Sequence, residues 1–147
     1  MKEQQKLLLE ACVQKLKNSS LRITTQRLEV LKCLLSAPAS ISEIIQKLSA
    51  KNKAVDRVTV YRIVENFSEL GLVHLLLPNS QYALCSHALC SHEQHILVRC
   101  KSCGDLEEYD VPEKIFKPLA EYLKRISGFK AAPSHFQLDG ICKACVH

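Results

Sequence analysis

Leu72-Val73-His74-Leu75-Leu76-Leu77, Pro78-Asn79-Ser80 and Gln81-Tyr82-Ala83-Leu84 form the stretch whose reading decides the fold. Two apolar runs around a Pro-Asn-Ser turn read as a β-hairpin. The chain before the hairpin is helical. Residues 3–17 carry Leu7, Leu8, Ala11, Cys12 and Leu16 at helical spacing, with Lys and Glu between them. Ser19-Ser20-Leu21-Arg22-Ile23-Thr24-Thr25 interrupts this pattern. Thr25 then caps a second helix through Leu28, Val30, Leu31 and Leu34 as far as Pro38. Ser40 caps a third, with Ile41, Ile44, Ile45 and Leu48 inward and Glu43 placed for a capping box. Asp56 starts a fourth around Val60, Ile63, Val64 and Phe67, and Gly71 stops it. Short helices in this order make a helix-turn-helix array, and the hairpin that follows makes it a winged helix over residues 1–84.

In a winged helix the helix before the wing enters the DNA major groove. Arg57, Thr59, Tyr61 and Arg62 on its first turns are therefore the residues expected to meet DNA. Arg can grip phosphate or fork onto guanine, while Tyr offers a hydroxyl to phosphate and a ring to a thymine methyl. The bland alternative is a solvated helix face with a buried Tyr61, because helix-turn-helix folds also serve as protein-binding modules.

Downstream the chemistry changes. Cys100-Lys101-Ser102-Cys103 and Cys142-Lys143-Ala144-Cys145 are two Cys-x-x-Cys pairs. Each pair lets two sulfurs of one tight turn reach one ion, and two such turns complete the tetrahedron of a structural Zn2+. Disulfides are the alternative. Close thiols in a chain with no signal peptide and no transmembrane run favour a reducing cytoplasm and a metal, with no membrane partner. Between the pairs, residues 94–111 alternate like a strand-turn-strand. Pro112 and Glu113 open a helix with Ile115, Leu119, Tyr122, Leu123 and Ile126 as its apolar stripe and Gly128 as its stop, and His135-Phe136-Gln137-Leu138 reads as a last strand. The expectation is an α+β chain: a winged helix-turn-helix domain over 1–84, a hinge over 85–93, and a small α/β dimerisation domain over 94–147 that needs its zinc and a partner subunit for stability.

Around the junction, His74, Cys85, His87, Cys90, His92, Glu93, His95, Glu107 and Glu108 suggest a second metal site. A Cys, His and carboxylate set suits Zn2+, whereas His and carboxylate alone suit Fe2+ or Mn2+; Cys85 tilts the choice to zinc. Strand alternation ranks His95, on the side of Leu97 and Arg99, above His92. Cys12 and Cys33, on helix stripes, read as core.

Composition agrees with two unlike halves. The 147 residues are 47% apolar with net charge +5. Residues 1–84 hold 12 Lys and Arg against 7 Asp and Glu, whereas 85–147 hold 8 against 8. Six of eight cysteines and five of six histidines follow residue 84. A basic winged helix suits nucleic acid. His92-Glu93 with a Cys-x-x-Cys pair superficially suggests a zinc deaminase, but the His-x-Glu spacing is missing and no Pro precedes Cys100. A structural zinc adaptor that binds protein is the other class.

Taken together these residues resemble the ferric uptake regulator family of bacterial metal-sensing repressors. Arg22-Ile23-Thr24-Thr25-Gln26-Arg27 looks like the family's Arg-x-Thr-x-Gln-Arg start. Thr59-Val60-Tyr61-Arg62, Glu69-Leu70-Gly71-Leu72-Val73, Cys100-x-x-Cys103-Gly104 and Gly140-Ile141-Cys142-x-x-Cys145 match its later motifs. The resemblance implies a homodimer that binds a palindromic double-stranded operator when a regulatory metal is loaded, and it adds Arg22 to the DNA-binding set. Asn79-Ser80-Gln81-Tyr82-Ala83-Leu84-Cys85 resembles the zinc uptake regulator subgroup. That likeness implies sensory ligands His74, Cys85 and Glu108, completed by His95, His92 or Glu93, in a repressor of metal uptake genes. An iron-, manganese- or peroxide-sensing regulator is the alternative within the family.

Overall fold

A computed structural model of the chain describes residues 3–53, 55–86, 95–128 and 135–146. These fall into two compact units, one within Met1–Leu89 and one within Cys90–His147. The expected hinge lies outside the described residues from His87 onward, as do His92 and Glu93. Among the described residues no helix is long and apolar enough to cross a membrane.

The first unit runs α1 (Glu3–Lys17), α2 (Thr25–Ser36), α3 (Ile41–Ala50), α4 (Arg57–Glu69), β1 (Val73–Leu76) and β2 (Gln81–Leu84). Its helices begin where side chains can satisfy the first backbone N–H groups. Thr24, not Thr25, caps α2: it is extended, and its hydroxyl accepts from the N–H of Arg27 at 3.3 Å. Two adjacent threonines look alike in sequence, and only the extended one can present its oxygen to the third residue on. Ser40 and Glu43 form the reciprocal capping box on α3, and Asp56 caps α4 by accepting from Thr59 N–H at 2.9 Å. Gly71, at φ 64°, ends α4 in the left-handed region.

The wing is an antiparallel pair with Val73 opposite Leu84 and His74 opposite Ala83. Ala39, between α2 and α3, joins it through two backbone hydrogen bonds with Tyr82, at 3.0 and 2.8 Å. Helices and wing close over one core, centred on Leu16, Leu31, Ile44, Leu48, Phe67 and Leu72. Cys12 and Cys33 belong to it, as their helical positions indicated. Leu7 does not: Leu8 and Leu9 pack against the edge of the core, whereas Leu7 is 61% exposed. Within this apolar unit Glu29 is buried, and its Oε1 accepts from Lys53 Nζ at 2.9 Å and Lys32 Nζ at 3.0 Å. The Lys53 and Lys32 ammonium groups hold its carboxyl below the usual value of 4.5. Lys53 lies in the turn that leads into α4, so the pair ties that turn to α2.

The second unit contains β3 (His95–Cys100), β4 (Leu106–Asp110), α5 (Glu113–Ser127) and β5 (His135–Gly140), with sheet order β4-β3-β5. β3 is antiparallel to β4 and parallel to β5. Arg99 forks onto its register partner Asp139 at 3.1 and 2.8 Å. Its apolar interior is small. α5 buries Phe116, whose ring lies 5.6 Å from that of Phe136, but Ile115, Leu119, Tyr122 and Ile126 remain exposed.

Two stability measurements check this account. Phe67→Ala, at the centre of the first core, should cost about 3–5 kcal/mol in urea unfolding. Because the carboxyl of Glu29 is lowered in the fold, its contribution is complete above the ordinary carboxylate value and fades as pH falls through the lowered one. The stability gap between the parent and Glu29→Gln should therefore be widest near neutrality and close only as acidification passes the lowered value, below the ordinary carboxylate range.

Candidate metal centres and nucleic-acid interface

The turns after β3 and β5 bring Cys100, Cys103, Cys142 and Cys145 together, with all four sulfurs within 4.8 Å of one another. Each turn is closed by its own backbone, Gly104 N–H to Cys100 carbonyl at 2.9 Å and Cys145 N–H to Cys142 carbonyl at 2.9 Å. Lys101 N–H donates to Gly140 carbonyl at 2.8 Å and holds one turn against the other. Cys103 Sγ and Cys142 Sγ lie 3.7 Å apart. A tetrahedron with sulfurs about 2.3 Å from its centre has edges of about 3.8 Å, so the spacing suits Zn2+.

Electrostatics point the same way. Backbone N–H groups of Cys103 and Cys142 pull the Cys100 thiol down to about 6, the latter donating to its sulfur at 3.3 Å. Cys103 receives the same kind of help from Asp105 N–H, yet the adjacent sulfurs of Cys100 and Cys142 push it up to about 12. Four thiolates at this distance cannot ionise against one another unaided. A bound dication removes the conflict.

The other candidate ligands are held in pairs. In the first unit His74, buried on β1, and Cys85, buried just after β2, have ligand atoms within 4.8 Å of each other. The donation of Cys85 N–H to Leu72 carbonyl at 2.9 Å continues the hairpin and fixes that cysteine beside β1. In the second unit His95 and Glu108 share a sheet face: His95 Nδ1 lies 3.4 Å from Glu108 Oε1 and 3.2 Å from Asp110 Oδ1. Asp110 was not among the sequence candidates. The alternation that selected His95 contains it, since Asp110 is two residues from Glu108 and directly opposite His95.

The face of α4 away from the core carries Arg57, Tyr61 and Arg62, all exposed. Tyr61 is 46% exposed, so the buried ring of the bland alternative is not found. Arg57 Nη2 approaches the Tyr61 hydroxyl at 3.4 Å, and its guanidinium carbon lies 5.6 Å from the ring centroid. Thr59 is turned inward to the cap, its hydroxyl donating to Asp56 Oδ2. Arg22 is exposed in the segment before α2, and its carbonyl accepts from Arg27.

For the four-sulfur centre, Cys142→Ser should lower bound zinc by one ion per chain and bring down the thermal midpoint by many degrees. A structural zinc is worth on the order of 10 kcal/mol to a small domain. Atomic-emission zinc analysis beside a thermal melt reads both, and a variant with unchanged zinc and midpoint would contradict the assignment.

The chain matches the ferric uptake regulator family over residues 18–138. It is similar to the peroxide-responsive repressor PerR of Staphylococcus saprophyticus, at 25% identity with 93% of this chain and 90% of the relative covered. Among solved structures it is similar to a zinc uptake regulator complexed with zinc and DNA, at 26% identity and a TM-score of 0.78, covering 99% of this chain and 96% of that one. It also shares the fold of holo XcZur, at 22% identity and a TM-score of 0.79, covering 95% and 96% of the two chains. The matched span takes in the wing, the helix before it and the first cysteine pair, and the chain belongs to the ferric uptake regulator family of DNA-binding transcriptional regulators.

Proposed function

We propose that this metal-responsive repressor is zinc-responsive, and that as a zinc-loaded homodimer it binds a palindromic operator and shuts down metal uptake genes in the cytoplasm. The observation that carries the choice of metal is the buried His74 and Cys85 pair, because a thiolate beside an imidazole favours Zn2+ over the harder Fe2+ and Mn2+. The likeness to a regulator complexed with zinc and DNA adds support. His95 and Glu108 are the natural ligands from the second unit, since Glu108 and Asp110 place carboxylate oxygens within 3.4 and 3.2 Å of His95 Nδ1 and make an acidic neighbourhood that suits a cation.

The mechanism follows from where the ligands originate. A zinc ion that takes His74 and Cys85 from the winged helix and Glu108 with His95 or His92 from the second unit fixes one unit against the other. Two DNA-reading helices in a dimer must match the spacing of two half-sites, and metal selects the arrangement that does. DNA then binds without having to order the units itself. The uncovered apolar stripe Ile115, Leu119, Tyr122 and Ile126 of α5 supports a dimer built on the second unit. The closed four-cysteine zinc keeps that unit folded and does not sense.

A peroxide-sensing repressor is the second reading, favoured by similarity to the staphylococcal repressor. Cys85 separates the two. With a duplex selected from random DNA by the zinc-loaded parent, Cys85→Ala should remain a folded dimer with its four-cysteine zinc. It should lose one further zinc per chain, and zinc should no longer raise its affinity for the duplex. Stoichiometry and affinity equal to the parent's would remove Cys85 from the ligands and put the peroxide reading ahead.

A further inference from the structure

The buried stripe of α4 is Val60, Ile63, Val64 and Phe67. At roughly 100° per residue the direction opposite this stripe is occupied in the first turn by Val58, with Tyr61 on one side and Arg62 on the other. Val58 is 59% exposed, an apolar β-branched residue in the middle of a polar face. A lone exposed apolar side chain asks for no explanation by itself. This one lies between an exposed Tyr and an exposed Arg at the N-terminal end of the helix that a winged helix inserts into the major groove. Farther along, the same side carries exposed Glu65 and Glu69, which phosphates would repel, so contact is confined to the first two turns.

We infer that Val58 is a base-reading residue that contacts the 5-methyl group of a thymine in each half-site. The inference rests on the DNA-binding reading above. The major groove displays one apolar group, the thymine methyl, and an isopropyl side chain can meet it without stranding a hydrogen-bonding atom. Cap and neighbours hold the approach steady. Asp56 fixes the start of α4 through Thr59, which sets the direction of the intervening Val58. Arg57 lies across the Tyr61 ring and walls one side of the position, reducing the freedom that both exposed side chains would otherwise lose on binding. Arg62 completes the other side, within reach of guanine or phosphate.

Deleting one methyl from DNA tests this directly. The zinc-loaded parent first selects a duplex from a random library, and each thymine of that duplex is then replaced singly by deoxyuridine. The parent should lose about fourfold in affinity at one thymine per half-site, the worth of one buried methyl group. Val58→Ala, an exposed change that preserves the helix, should bind the thymine and deoxyuridine duplexes equally, at about the parent's affinity for the latter. Val58→Thr, of similar shape, should behave between the two. A parent indifferent to every thymine replacement, or a Val58→Ala protein as sensitive as the parent, overturns the inference while leaving DNA binding intact. A parent that selects no duplex overturns the DNA-binding reading itself, and the inference falls with it.

Discussion

Four sulfurs crowded within 4.8 Å are the constraint on which the second half of this molecule depends. Their turns hang from β3 and β5, which are parallel neighbours separated by an entire helix in sequence. Parallel pairing of this kind draws no help from a tight turn, and among the described residues the buried interior beneath it is little more than Leu97, Cys100, Phe116 and His95. Zinc closes the long loop from Cys103 to Cys142 at the point where packing is weakest. With the strands so tied, His95, Glu108 and Asp110 share a face and α5 keeps its apolar stripe turned outward for a second copy.

The winged-helix unit is built by the opposite means. Its core is continuous and apolar, its helix starts are capped by Thr24, Ser40 and Asp56, and its buried charge is answered by two lysines. In the function proposed above, metal adds a grip on the end of the wing, where the hairpin register and the Cys85 backbone bond to Leu72 hold His74 and Cys85. On that proposal, folding and sensing fall to two sets of cysteine chemistry, one closed and permanent, the other open to regulation.

Much of this was legible in the sequence because local physics dictated it. Three-and-four spacing gave the helices, Ser40 with Glu43 announced a cap, Gly71 and Gly128 marked stops, and the Cys-x-x-Cys pairs declared a shared ion. Thr24 displaced Thr25 because a cap is chosen by backbone conformation, which two identical side chains do not reveal. Asp110 was missed because its importance comes from cross-strand register, set only once β4 is paired. Val58 was passed over because a valine in a helix reads as core until its angle to the stripe is counted. The outward stripe of α5 is the instructive case, since amphipathic periodicity announces that a face will be covered and says nothing about whether the cover is the same chain.

The central claim is that zinc occupancy and operator binding are coupled, and the most direct test is thermodynamic. Free zinc is buffered across the range in which the second site fills, and affinity for a selected duplex is measured by fluorescence anisotropy at each level. Zinc affinity is measured with and without that duplex. The account predicts that duplex affinity rises with zinc by about 5–150-fold and that the duplex tightens zinc binding by the same factor, since coupling between two ligands is reciprocal. Equal duplex affinity at every zinc level, with the four-cysteine site filled throughout, would contradict it.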